Sequence, residues 1–206
     1  MLAAALAVSA AAAEEGFVSL FDGKSLNGWQ YAGREGEGYI AANGLLACPS
    51  NGGGNLFTVK QYADFIFRFE FRLQEGSNNG IAIRAPLAAK RVSYDGMEIQ
   101  VIDNDAPQYK GRIQPWQMHG SLYGVFPAKP GYLKKTGEWN AEEIICRGPR
   151  VTVNLNGTVI LDADLDSVKD PKILKEHPGL QRRGGHIGFL GHNSPVEFRN
   201  IRIKEL

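Results

Sequence analysis

Residues 64–73 read DFIFRFEFRL, and their alternation decides the fold class. Phe65, Phe67, Phe69, Phe71 and Leu73 fall on one side of an extended chain, with Ile66, Arg68, Glu70 and Arg72 on the other. A period of two sends successive side chains to opposite faces, so the stretch reads as a half-buried antiparallel strand. Comparable runs recur on both sides of it: GLLAC (44–48), GIAIRA (80–85), MEIQVID (97–103), SLYGVF (121–126), EEIICRG (142–148), RVTVNLNG (150–157), TVILDADL (158–165), HIGFLG (186–191) and VEFRNIRIKEL (196–206). Turn residues separate nearly all of them. Asn156-Gly157 stands between VTVNL and TVILD, where both central positions of a tight hairpin need positive φ. In VEFRNIRI the apolar parity changes around Arg199 and Asn200, which predicts a bulge. About ten short strands without βαβ alternation imply an all-β protein, two packed antiparallel sheets in a single jelly-roll sandwich. Helix is confined to VSYDG (92–96) and the 166–178 region, where Pro171 and Pro178 limit its length.

Length and composition agree. The 206 residues suffice for one core, and the 25 glycines and 10 prolines are scattered between apolar runs as turns require. A net charge of +1, with 22% charged residues, shows no bias towards nucleic acid or a membrane surface. The segment 1–13, MLAAALAVSAAAA, reads as the tail of a secretory signal without its basic start, so the folded domain is expected at 14–206, exported to the periplasm or beyond. A buried N-terminal helix is the bland alternative. No later stretch reaches the roughly 18 apolar residues of a membrane span. Cys48 and Cys146 both lie in strand-like runs, where either a disulfide or two small buried thiols fit. SNGGGN (50–55) has neither the lysine nor the strand-to-helix setting of a phosphate loop.

Parity also assigns faces. Glu98 and Gln100 share one side of MEIQVID, opposite Ile99 and Val101; Gly80, Ala82 and Arg84 share one side of GIAIRA, with Ile81 and Ile83 directed to the core. The small residues leave room above the sheet. His192 continues the face of Gly188 and Leu190. Asp103 closes its strand and either caps the following loop or contacts a ligand. Trp116, in the loop before SLYG, is placed to form a groove wall, while Trp29 and Trp139 read as core or edge residues. His177 and His186 read as surface or structural. Glu98, Asp103 and His192 carry donors for a divalent metal, although no motif defines a site.

Taken together, GFVSLFDGKSLNGW (16–29), YADFIFRFEFRLQEGSNNGIAIR (62–84), YDGMEIQVID (94–103), HGSLYG (119–124), GEWNAEEIICRGPRVTVNLNG (137–157) and GHIGFLGHNSPVEFRNIRI (185–203) resemble the 3-keto-disaccharide hydrolase family. The chain departs from that pattern at Leu190 and Gly191, near which members often carry Gln and Asp. The resemblance implies a concanavalin A-like jelly roll that cleaves glycosides whose sugar has been oxidised at C3 by a partner oxidoreductase. A 3-keto group acidifies the C2 hydrogen, so a base can remove it while an enolate develops and the C1 substituent leaves. Glu98 or His192 fits the base, Arg84 the enolate stabiliser and Tyr123 or His119 the proton donor, with Gln100, Asp103 and Trp116 around the sugar. The competing readings are a carbohydrate-binding module using the same face and a structural domain of a surface complex.

Overall fold

The structure is a computed structural model that describes residues 14–33 and 36–206. The signal-like segment 1–13 lies outside the described residues. Thirteen strands form among them: β1 (Val18–Ser19), β2 (Trp29–Tyr31), β3 (Ile40–Ala42), β4 (Leu45–Cys48), β5 (Gly53–Thr58), β6 (Phe65–Leu73), β7 (Asn78–Ala85), β8 (Met97–Ile102), β9 (Trp139–Arg147), β10 (Arg150–Leu155), β11 (Thr158–Asp164), β12 (His186–His192) and β13 (Val196–Glu205). They make two antiparallel sheets. The larger runs β11-β10-β9-β6-β13-β4-β3, with β1 added to β13; the smaller runs β2-β5-β12-β7-β8. This is the jelly-roll sandwich expected from the alternation.

The strand β6 shows why the sheets pack. All four of its phenylalanines are buried on the inner side, and its arginines and glutamate lie on the outer side. From the facing sheet Phe189 meets Trp29, Tyr39, Phe67, Phe69 and Phe198, with ring centroids 4.4–6.4 Å apart. Burying each such ring stabilises by about 1.5–3 kcal/mol, and truncating Phe69 to Ala would cost about 3–5 kcal/mol. On the outer side Trp139 lies between the guanidinium groups of Arg72 and Arg199, so it is an edge residue. Trp29 is buried and its Nε1 donates to Leu20 O.

Local chemistry behaves as its residues dictate. Asn156 and Gly157 take φ of 53° and 88° at the β10–β11 turn. The ladder between β13 and β6 shifts between Arg199 and Arg202, with Asn200 at φ 52°, which is the bulge that the parity change requires. Helix α1 (Val92–Asp95) is one turn, and α2 (Pro171–Glu176) begins on Pro171 and stops before Pro178. No helix of the described residues is long and apolar enough to cross a membrane.

One expectation changes. SLYGVF forms no strand; Leu122 makes only isolated bridges to Ile99 and Phe126, because Gly120 and Gly124, both at φ 78°, break the extended run. The glycine-rich 50–55 stretch leads into β5, paired with β12, and a Cβ at Gly53 would come within 2.9 Å of the Gly191 backbone. Glycine here permits strand approach rather than phosphate binding. Cys48 and Cys146 are both free and buried at opposite ends of the larger sheet; burial pushes their thiols up to about 11 and about 12. The alternative of two buried thiols therefore holds.

Candidate functional site

The outer face of the smaller sheet carries a cavity of about 340 Å³. Its floor follows from parity. Met97, Ile99 and Val101 enter the core, which leaves Glu98, Gln100 and Ile102 on the opposite side of β8. Across the ladder Glu98 faces Ala82 and Gln100 faces Gly80. The Glu98 carboxyl leans over Gly80 so closely that a Cβ there would lie 2.0 Å from Oε1. Gly80 is required for space, not for its φ. Gln100 Nε2 donates to Asn78 Oδ1 at 2.9 Å, fixing both amides at one end of the floor. His192, at the end of β12, reaches the same cavity from an exposed position.

Burial of Glu98 removes water from its ionised form and raises its pKa from 4.5 to about 7, against a smaller lowering by the Ser93 side chain. A carboxyl tuned in this way exchanges a proton near neutrality, as a general base or acid must.

The walls are not regular structure. Residues 119–126 run along β8 as a strap: Gln100 N donates to Ser121 O at 3.0 Å, Gly120 N to Gln100 O at 2.8 Å and Tyr123 N to Glu98 O at 2.9 Å. This places the Tyr123 phenol in the cavity, where its hydroxyl accepts from Gln117 Nε2 at 3.3 Å. Tyr94 of α1 faces Tyr123 edge-on and has His177 stacked behind it at 4.6 Å. Tyr109 and Ile113, from the loop after β8, complete the opening.

Four of the candidate residues stand elsewhere. Arg84 does not stand beside Glu98. Three steps along β7 from Ala82 to Ala85 match two along β12 from Gly188 to His186, and in this bulge Arg84 takes φ 50°. Its side chain turns away from the cavity and is wholly buried: Nε donates to Ala63 O at 3.0 Å, Nη1 to Gly148 O at 2.7 Å and Nη2 to Asp64 Oδ1 at 3.0 Å. Ala63 and Asp64 immediately precede β6 and Gly148 lies in the turn between β9 and β10, so Arg84 fastens β7 to one end of the larger sheet. His119 points into the core, with its ring 5.0 Å from that of Phe71, and cannot meet a ligand in the cavity. Asp103 caps a turn: Oδ2 accepts from Gly76 N at 3.1 Å and Oδ1 from Asp105 N at 3.3 Å, beside a neighbouring depression. Trp116, in the 3-10 turn Pro115–Gln117, is 40% exposed and does not line the cavity, whereas the adjacent Gln117 does.

With Asp103 removed, Glu98, Asp103 and His192 are not a preformed ligand set. No cluster of three or more His, Cys, Asp or Glu fit to hold a metal occurs among the described residues. His186 is structural, buried with Nδ1 2.8 Å from Thr58 O. Sequence reasoning missed Asn78, Ser93, Tyr94, Tyr109 and Gln117. Asn78 was within reach, since it shares the parity of Gly80; the others sit in a single helical turn or in irregular loop, where no period marks them.

A two-sheet jelly roll with an ionisable carboxyl on the floor of a sheet-face cavity defines a β-sandwich with a candidate acid–base site on one face. The chain belongs to the 3-keto-alpha-glucoside-1,2-lyase-like domain family, whose model matches residues 16–204. It is 28% identical over 229 residues to a 3-keto-disaccharide hydrolase of Bacteroides thetaiotaomicron, covering 93% of this chain and 79% of that protein. The crystal structure of a candidate glycosyl hydrolase from Parabacteroides distasonis superposes with a TM-score of 0.78 at 27% identity, covering 92% of this chain and 99% of the other. The carbohydrate-binding module CBM66 of Bacillus subtilis shares the fold alone, with a TM-score of 0.57 at 13% identity over 86% of this chain and 96% of that one.

Proposed function

We propose that the protein cleaves glycosides whose sugar carries a ketone at C3, by elimination across C1 and C2 followed by hydration. The observation that carries this reading is Glu98, a buried carboxyl that titrates at about 7 on the floor of a cavity also lined by Tyr123 and His192. Ionised Glu98 takes the C2 hydrogen, and the electron pair of the broken C–H bond moves into an enolate whose negative charge rests on the C3 oxygen. His192, with the amides of Asn78 and Gln100, supplies donors for that charge, the role that Arg84 cannot fill. Collapse of the enolate breaks the C1–O bond, and the Tyr123 hydroxyl protonates the departing oxygen. Water then adds at C1 of the unsaturated ketone, giving up a proton to the Tyr123 phenolate, and the proton held by Glu98 returns to C2. The product is the free 3-keto sugar.

Such a substrate requires an oxidoreductase acting earlier on the sugar, and the signal-like N-terminal run supports an exported setting for this protein. Purified protein incubated with 3-keto-trehalose, 3-keto-lactose and an aryl 3-keto-glucoside should release the aglycone. The unoxidised parents should stay intact, and an EDTA arm reports any metal requirement. Transient appearance of an unsaturated ketone would separate elimination from direct displacement. Tight binding of ordinary glycans without turnover of any oxidised one would overturn the proposal in favour of a binding module.

A further inference from the structure

Between the sheets, well away from solvent, stands an ion pair that the proposed chemistry does not use. His119 Nε2 lies 3.0 Å from Glu142 Oε2, and it is the one ion pair among the described residues with both side chains buried. Glu142 shares the inward face of β9 with Ile144 and Cys146 and lies opposite Phe69 of β6. The approach is off-axis for a hydrogen bond, and none of the four side-chain polar atoms has a well-directed partner. A buried pair of this kind is poor at stabilising a fold, because desolvation offsets its attraction and apolar residues of similar size often do as well or better. What it supplies is orientation.

His119 is also a junction. Its backbone N donates to Asn104 Oδ1 at 2.9 Å, tying it to the loop that carries Tyr109 and Ile113. The next residue, Gly120, begins the bonding of the strap to β8, and a Cβ there would lie 2.2 Å from Ile160 Cδ1, so the strap has little room to shift. Three residues further on, Tyr123 N bonds the carbonyl of Glu98. We propose that His119 and Glu142 form a positioning clamp, which fastens the strap to the larger sheet and so holds the Tyr123 hydroxyl over Glu98. Neither residue touches substrate. The catalytic readout of this clamp rests on the function proposed above.

The test uses the full protein with Glu142→Gln, Tyr123→Phe, their combination, and the apolar pair His119→Phe with Glu142→Leu. In Glu142→Gln, amide exchange at Gly120 and Tyr123 should quicken at least tenfold, and kcat/KM per folded molecule on an aryl 3-keto-glucoside should fall about tenfold. In the Tyr123→Phe background the same substitution should cost nothing further, because its effect passes through that hydroxyl. The apolar pair should recover the melting temperature but not kcat/KM. Unchanged exchange with unchanged kcat/KM in Glu142→Gln, or losses that multiply with Tyr123→Phe, would overturn the clamp. Should the wild type turn over no oxidised glycoside, the functional reading fails by itself. Amide exchange then decides the clamp alone, faster exchange supporting it and unchanged exchange refuting it.

Discussion

Replacing Glu98 by Gln removes the proton that the cavity floor holds, and the consequences for stability and for catalysis run in opposite directions. The carboxyl titrates at about 7 in the folded protein against an ordinary 4.5, because burial penalises its charge. Between those two values the folded state retains a proton that the unfolded chain releases, so stability falls as pH rises through this window. The stabilisation is fully present below 4.5 and lost once pH passes about 7. The gap corresponds to about 3 kcal/mol, or a shift in Tm on the order of 10 °C for a chain of this length. Glu98→Gln has no such proton to lose. Thermal or urea unfolding from pH 4 to 8.5 should therefore show the variant gaining on the wild type by about 3 kcal/mol as pH rises. Turnover of a 3-keto-glycoside should fall by roughly a hundredfold or more, and wild-type kcat/KM should climb through about pH 7 as the base ionises. Parallel stability curves for the two proteins, or a variant as active as the wild type, would refute the reasoning.

The remaining predictions use the same substrates and unfolding measurements. Gly80→Ala would bring a Cβ within 2.0–2.8 Å of Oε1, Cδ and Cγ of the buried Glu98 side chain, so it should cost about 1–3 kcal/mol and lower kcat about a hundredfold by displacing that carboxyl. Arg84→Met should destabilise by about 3 kcal/mol through loss of its hydrogen bonds to Ala63, Gly148 and Asp64, while activity per folded molecule at low temperature stays near normal. His192→Ala, at an exposed strand end, should melt like the wild type and lose about a hundredfold in kcat.

The legible part of the molecule was the part governed by a period. Alternation in 64–73 defined β6 and the sandwich, the Asn-Gly pair located a hairpin, and the parity break near Asn200 located a bulge. The same rule put Glu98 and Gln100 on one face and identified Gly80 and Ala82 as the clearance above the sheet. It failed at Arg84 because one extra residue in β7 reverses every side chain at that point, and nothing in GIAIRA marks a bulge. It gave no side for His119 or Tyr123, because Gly120 and Gly124 with positive φ turn SLYGVF out of a strand and leave no period to count. The pairing of His119 with Glu142 was invisible for another reason: it joins a residue of the irregular strap to a strand of the larger sheet, and no local pattern reports a contact across the core.

The cavity divides its labour between kinds of backbone. Glu98, Gln100 and Asn78 stand on strands whose ladders bond them from neighbour to neighbour, while Tyr94, Tyr109, Ile113 and Tyr123 hang from a helical turn, a loop and a strap. Exchanging the segment 105–116 for one of different length or composition would leave the ladders under the reactive carboxyl intact. Diversification of what the cavity admits can therefore proceed by rewriting residues 105–116, with the strand-borne carboxyl and its amides left in place and Asn104 and Gln117 kept for their bonds to His119 and Tyr123.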